Sequence, residues 1–117
     1  MNILQYAVAC EANWKINMAE ITSYKPFTTF YYDFSIADCF GVKAIKDTYK
    51  RASKEWKNDV KYFTEFVIVL NHKSWQHHAE NNETLVQLYS ELYYKARNLA
   101  LKNFKDDELS YFLEITD

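Results

Sequence analysis

The sequence predicts an all-α protein, a compact single-domain bundle of about five helices that spans residues 1–117. The chain has one Gly and one Pro, so it has few places to bend. This composition is typical of long helices joined by short connections. Ten Tyr, eight Phe and three Trp supply a large apolar surface for a core. A domain of this size needs no metal or disulfide to stabilise it.

Apolar residues spaced three and four apart mark the first two helices. The first helix has one apolar face from Ile3 to Ile21 and ends before Pro26, because proline disfavours helix in the residue that precedes it. The second runs from Phe27 to Ala37, with Gly41 suited to its C-terminal cap. The aromatic and β-branched residues of 28–34 leave a strand open as the alternative there.

The same periodicity marks the remaining helices. The third covers Val42 to Trp56. The fourth, from Val60 to about Ala79, is apolar nearly all round, which predicts a position at the centre of the bundle. Asn81 and Asn82 then break and re-cap the chain. The fifth runs from Leu85 to Phe104, and a last turn packs residues 109–113.

Composition disfavours several functional classes. The net charge of −2 names no partner. The longest apolar run, Phe66–Leu70, is far shorter than the ~20 residues of a membrane span. Small residues precede Cys10, as in a lipoprotein signal, but no Lys or Arg occurs in the first ten residues. We therefore expect a cytoplasmic protein, with Cys10 and Cys39 as free thiols.

The three histidines, His72, His77 and His78, do not have the spacing of a helical zinc site. Two ligands on one helix face lie three or four residues apart. This leaves His77 with Glu80, or His78 with a group on another helix, as the open metal alternatives. The simpler interpretation is a set of polar residues at the frayed end of the fourth helix. We expect no metal and no cofactor.

The carboxylates also have simple structural interpretations. Asp33 and Asp38 lie in a segment that resembles local capping. Glu65 is one turn after Lys61 and is expected to pair with it. No Gly-rich phosphate loop is present, and no nucleophile–base spacing is recognisable. We therefore expect that the protein is not an enzyme.

Ser35–Val42 is similar to the first half of a helix-turn-helix, with a small residue four positions before a turn glycine. The second half does not fit, because Asp47 and Lys50 occupy the positions at which a recognition helix packs inward. DNA reading by this segment is therefore a weak alternative.

The charge pattern is more specific. Six lysines step by three and four residues and so form one stripe along a helix; they are Lys43, Lys46, Lys50, Lys54, Lys57 and Lys61. The stripe lies away from the apolar face, so it should face solvent. Together with Arg51 it could bind phosphates or an acidic protein surface. The alternative is a solvated helix face without a partner.

Four further segments resemble short proteins without an assigned activity that are carried on bacterial phages and conjugative elements. The segments are Phe30–Asp38, Asp47–Arg51, Thr64–Asn71 and Glu108–Phe112. The resemblance extends from Thr29 to Asp117. Short proteins of such elements are often inhibitors of host defence, including anti-CRISPR proteins, so the resemblance implies a protein-binding role and assigns no catalytic residue.

Two functional hypotheses follow. The first is a non-enzymatic module that docks on a larger protein or protein–nucleic-acid complex, as an inhibitor of a defence nuclease such as a CRISPR effector would. Its binding face would combine the lysine stripe and Arg51 with Tyr93 and Tyr94, because tyrosines are enriched at binding hot spots. The second is a small nucleic-acid-binding accessory or regulatory protein that uses the same stripe.

Overall fold

The computed structural model describes residues 25–116, with side chains from Thr29 onward. Across this range the chain forms five helices and no strand, which confirms the all-α prediction. The helices are α1 (Lys25–Phe40), α2 (Val42–Trp56), α3 (Val60–Ala79), α4 (Glu83–Asn103) and α5 (Asp106–Thr116). The first predicted helix, 3–21, and Cys10 lie outside the described residues. None of the described helices is long and apolar enough to cross a membrane.

Residues 28–34 belong to α1, so the strand alternative for this segment is wrong. The segment's apolar residues have helical spacing, and Phe30 and Phe34 both turn inward to the core. Burial of one continuous helix face outweighs the modest strand preference of aromatic and β-branched residues.

One residue, Gly41, separates α1 from α2. Its φ of 107° and ψ of −170° place it in a region that is essentially restricted to glycine. The Gly41 N–H donates to the carbonyl of Ala37 at 3.0 Å, and the Gly41 carbonyl accepts from the N–H of Ile45 at 3.2 Å. Both backbone polar groups of Gly41 are therefore hydrogen-bonded. The connection lacks the three- or four-residue turn of a helix-turn-helix, so the partial similarity in the sequence does not extend to the structure.

Side-chain caps start the next two helices. The Asp59 carboxylate accepts from the N–H of Tyr62 at 3.0 Å at the start of α3, and Asn82 accepts from the N–H of Leu85 at 3.2 Å at the start of α4. Asn81 has a φ of 60°, a conformation that Asn tolerates better than most residues. The predicted break and re-capping at Asn81 and Asn82 is confirmed. The final element, α5, is a complete helix of 11 residues rather than a single turn.

The third helix of the described chain, α3, is the centre of the bundle. Every residue from Phe63 to Leu70 is buried, and α3 contacts each of the other four helices. The prediction of a central, nearly all-apolar helix is confirmed.

The core around α3 is built on the ring of Phe66. Four aromatic rings from α1, α2 and α3 lie with their centroids between 5.4 and 6.0 Å from it; they belong to Phe30, Phe34, Tyr49 and Phe63. Among the residues with described side chains, eight aromatic residues are buried; they are Phe30, Phe34, Tyr49, Phe63, Phe66, Tyr89, Phe104 and Phe112. This core buries the inward faces of α2 and α4. The outward faces of these two helices therefore lie side by side at the surface.

Candidate functional site

The basic residues predicted as a stripe are all on the surface. Each of the seven side chains is exposed; they are Lys43, Lys46, Lys50, Arg51, Lys54, Lys57 and Lys61. Lys57 lies just after α2, and Lys61 lies on α3. The opposite side of α2 packs into the core through Ile45, Tyr49 and Ala52. The outward phase of Lys43, Lys46, Lys50 and Lys54 on α2 is therefore confirmed. The prediction of one stripe along a single helix is wrong for Lys57 and Lys61, because the chain leaves α2 after Trp56 and Asp59 caps the start of α3. The binding role of these residues stays a prediction.

Part of the lysine stripe forms one wall of an open groove. The groove has a volume of about 480 Å³ and lies between α2 and α4. Its first wall carries Lys50, Ser53, Lys54 and Lys57. Lys50 and Lys57 are seven residues apart, so this row of cations is about 10 Å long at 1.5 Å per residue.

The second wall comes from α4 and carries Lys95, Asn98, Leu99 and Lys102. Lys95 and Lys102 are also seven residues apart, so the two lysine rows have matching lengths. Five lysines therefore line the groove, and no Asp or Glu is among the described residues that line it. This concentrates positive charge in a protein whose net charge is −2.

The bottom of the groove is apolar. Tyr49 is buried there, Leu99 is half-buried, and the Lys95 Nζ lies 5.5 Å from the centroid of the Tyr49 ring. Burial raises the pKa of the Tyr49 phenol, partly offset by a hydrogen bond with Ser53, so the ring stays neutral. An uncharged floor between cationic walls suits an anionic chain that also presents apolar or aromatic surface.

The α4 wall was missed at the sequence level, although a signal for it exists. Lys95, Asn98 and Lys102 step by three and four residues, as the α2 lysines do. Lys50 and Lys57 are each 45 residues before Lys95 and Lys102, respectively, and only the packing of α2 beside α4 shows that the two rows face each other.

Other predicted site residues lie outside the groove. Lys43, Lys46, Arg51 and Lys61 do not line it. The same holds for the two tyrosines, whose ring centroids are 5.1 Å apart. Tyr93 is half-buried against the core, about 200° around α4 from Lys95. Tyr94 is 62% exposed and lies one turn before Asn98, at the edge of the groove.

A second cluster of polar side chains joins α1, α3 and α4. Asp38 accepts hydrogen bonds at Oδ2 from the Lys73 Nζ at 2.6 Å and from the His77 Nε2 at 3.0 Å, and its Oδ1 accepts one from the Tyr89 hydroxyl. Lys73 is 1% exposed and Tyr89 is fully buried. The His77 Nδ1 lies 3.1 Å from a Glu80 oxygen.

The cluster corrects three expectations. Asp38 does not cap the backbone, because three side chains from other helices bind it. His77 is buried and is not part of a frayed helix end. Glu65 is also buried, with its Oε2 lacking a hydrogen-bond partner, and it does not pair with the exposed Lys61. In each case the long-range burial of the side chain outweighs a local interaction along the helix.

The geometry of the cluster indicates a structural role. Burial alone would raise the pKa of Asp38, but hydrogen bonds from His77, Lys73 and Tyr89 outweigh burial and hold this pKa below its usual value. Within residues 25–116 no group of three His, Cys, Asp or Glu side chains is arranged to hold a metal ion.

Comparison of the chain with protein-family models, curated proteins and solved structures finds no match.

Proposed function

We propose that the protein is a non-enzymatic binding module whose basic groove holds a single-stranded stretch of nucleic acid. The observation that carries the proposal is the charge of the groove. Lys50, Lys54 and Lys57 face Lys95 and Lys102, and no carboxylate is among the described residues that line the space between them. A groove of one sign of charge with low-dielectric walls concentrates anions at its surface.

The type of cation favours phosphate over carboxylate. All five charged residues of the groove are lysines. Lysine binds phosphate as a point charge, whereas arginine binds either a carboxylate or a phosphate through two parallel hydrogen bonds. Lysine is also depleted at protein–protein interfaces relative to the rest of the surface. Five lysines without an arginine therefore suit a phosphodiester chain better than an acidic protein surface.

The open groove, with a volume of about 480 Å³, has room for a short stretch of a single strand. Tyr94, which is 62% exposed on the same helix as Lys95, adds aromatic surface beside it, and bases stack on aromatic side chains in single-strand binding proteins.

Docking on a larger protein is the second candidate. It is supported by Tyr94, which is 62% exposed, and by the adjacent ring of Tyr93. Exposed tyrosines are enriched at hot spots. The resemblance to proteins of mobile elements adds inhibition of a defence nuclease to this candidate. A nuclease complex would present both a protein surface and a nucleic-acid strand.

The test is fluorescence anisotropy with labelled oligothymidylate across a series of salt concentrations. If all five lysines contact phosphates, the logarithm of the binding constant should fall with the logarithm of salt concentration with a slope of about −3.5, since each contact in a single strand contributes about −0.7. A variant with Lys50→Ala, Lys54→Ala and Lys95→Ala should make this slope less negative by about 2 and weaken binding about 100-fold at 0.1 M salt.

A matched control removes the same charge elsewhere. Lys43→Ala, Lys46→Ala and Lys61→Ala are exposed and lie outside the groove, so this triple variant should bind nearly as well as the original chain. Equal losses in the two triple variants would contradict a role for the groove. Absence of binding at low salt would refute nucleic-acid binding and leave protein docking as the candidate.

A further inference from the structure

The exposed side chains of α1 between Thr29 and Phe40 are uncharged, and Asp33 beside them is half-buried. Five side chains of this segment are exposed, and all are uncharged; they are Thr29, Tyr32, Ile36, Cys39 and Phe40. Tyr32, Ile36 and Phe40 expose 61%, 59% and 79% of their surface. They are four residues apart, so they form one line along the helix. We call this set of five residues the α1 face.

The α1 face cannot turn inward to bury its apolar residues. Phe30 and Phe34 on the other side of α1 pack against Phe66, and Asp38 binds Lys73 and Tyr89. A continuous apolar stripe held outward on a protein with many surface charges is typical of a contact site. Val42, which is 38% exposed, follows the stripe immediately after Gly41.

We propose that the α1 face binds the α1 face of a second copy of this chain, with the two helices antiparallel about a two-fold axis. In such an interface each contact occurs twice, so a face with charges near its centre would repel itself. The α1 face has none.

The area of the face agrees with a weak, reversible dimer. Fully exposed aromatic side chains offer roughly 150–250 Å² each. Tyr32 and Phe40 therefore contribute about 300 Å² together at their observed exposures. With Ile36, Cys39 and Val42, one copy offers on the order of 500 Å². A pair would bury about 1,000 Å², the lower end for specific interfaces, so we expect a dissociation constant on the order of micromolar.

Sedimentation equilibrium over a concentration series tests the proposal. The original chain should change from monomer to dimer as its concentration rises through the micromolar range. Ile36→Ser and Phe40→Ser should each weaken the dimer at least about tenfold, because each removes apolar area twice. As matched controls, Tyr94→Ser and Leu101→Ser remove exposed apolar side chains of α4 and should leave the dimer unchanged. Circular dichroism checks that every variant is folded.

A chain that stays monomeric at all concentrations would overturn the proposal, as would a dimer that Ile36→Ser and Phe40→Ser leave intact.

Discussion

Replacing Asp38 with Ala should destabilise the protein severely, because Asp38 is the common partner of three buried side chains, those of Lys73, His77 and Tyr89. Its Oδ2 binds Lys73 at 2.6 Å and His77 at 3.0 Å. The side chains of Lys73 and His77 are 1% and 5% exposed, so water cannot replace the lost carboxylate without opening the bundle. Removing one partner of a buried ion pair typically costs about 3–5 kcal/mol.

This loss is large for a chain of 117 residues. At roughly 0.05–0.15 kcal/mol per residue, the whole free energy of unfolding is about 6–18 kcal/mol. We therefore expect Asp38→Ala to remove between about a sixth and about five sixths of it. The assay is urea unfolding followed by circular dichroism at a neutral pH. Asp47→Ala, at an exposed position of α2, is the control and should change the free energy by no more than about 0.5 kcal/mol.

A second substitution distinguishes the lost ion pair from lost packing. Lys73→Met removes the buried cation that Asp38→Ala leaves unpaired, so the double variant should be more stable than the sum of the two single effects predicts, by about 1–3 kcal/mol. A cost for Asp38→Ala as small as that of Asp47→Ala would refute the reasoning. Strict additivity in the double variant would also refute it.

Three further predictions concern titration, backbone and core. Burial raises the pKa of Glu65 to about 8, so the folded chain keeps a proton that the unfolded chain releases above its ordinary value of 4.5. The free energy of unfolding therefore falls by about 1.4 kcal/mol per pH unit between these values. In urea unfolding, Glu65→Gln should be increasingly more stable than the original chain from pH 5 to 8. A constant difference would contradict the burial of a protonated carboxyl. Gly41→Ala meets no atom within 4 Å of its new Cβ, so it should cost about 1–3 kcal/mol through backbone conformation alone, measurable as a lowered midpoint of thermal unfolding. Phe66→Ala removes the ring at the centre of the aromatic core and should cost about 3–5 kcal/mol in the same urea assay; a loss below about 1 kcal/mol would show that the core does not depend on this ring.

Lowering the pH should remove the stabilising effect of Asp38, whereas raising the pH removes the stabilising effect of the protonated Glu65. The pKa of Asp38 is lowered from 3.8 in the folded chain, so its stabilising effect is complete above that value and is lost as the pH falls through the folded pKa. Asp38 and Glu65 therefore limit stability from opposite sides: Asp38 as the pH falls below 3.8, and Glu65 as the pH rises from 4.5 to about 8.

The helices could be predicted from the sequence because each depends on local information. Apolar spacing located α2 to α4, and the run of apolar residues in α3 indicated its central position. Gly41 and Asn82 marked helix ends, since few other residues adopt the required conformation or supply the required cap. The lysine stripe was found by the same rule, because side chains three and four apart share a helix face.

The groove and the Asp38 cluster depend on helix packing, which local spacing does not contain. Asp38 and Tyr89 are 51 residues apart. Rules for neighbours on one helix assigned Asp38 to capping and Glu65 to Lys61. Both assignments fail because the helix phase turns these carboxylates inward, where burial decides their partners. The α4 wall of the groove was likewise invisible until α2 and α4 were seen side by side.

The most direct measurement is a map of the bound strand on the protein by nuclear magnetic resonance. Isotope-labelled protein is titrated with oligothymidylate at low salt, and shifts of the backbone amides and of the Asn98 side-chain amide are followed. If the strand lies in the groove, the largest shifts should occur on both of its walls, at Lys50, Ser53, Asn98 and Lys102, with small shifts at Lys43. Shifts spread evenly over all exposed lysines, or none at all, would contradict it.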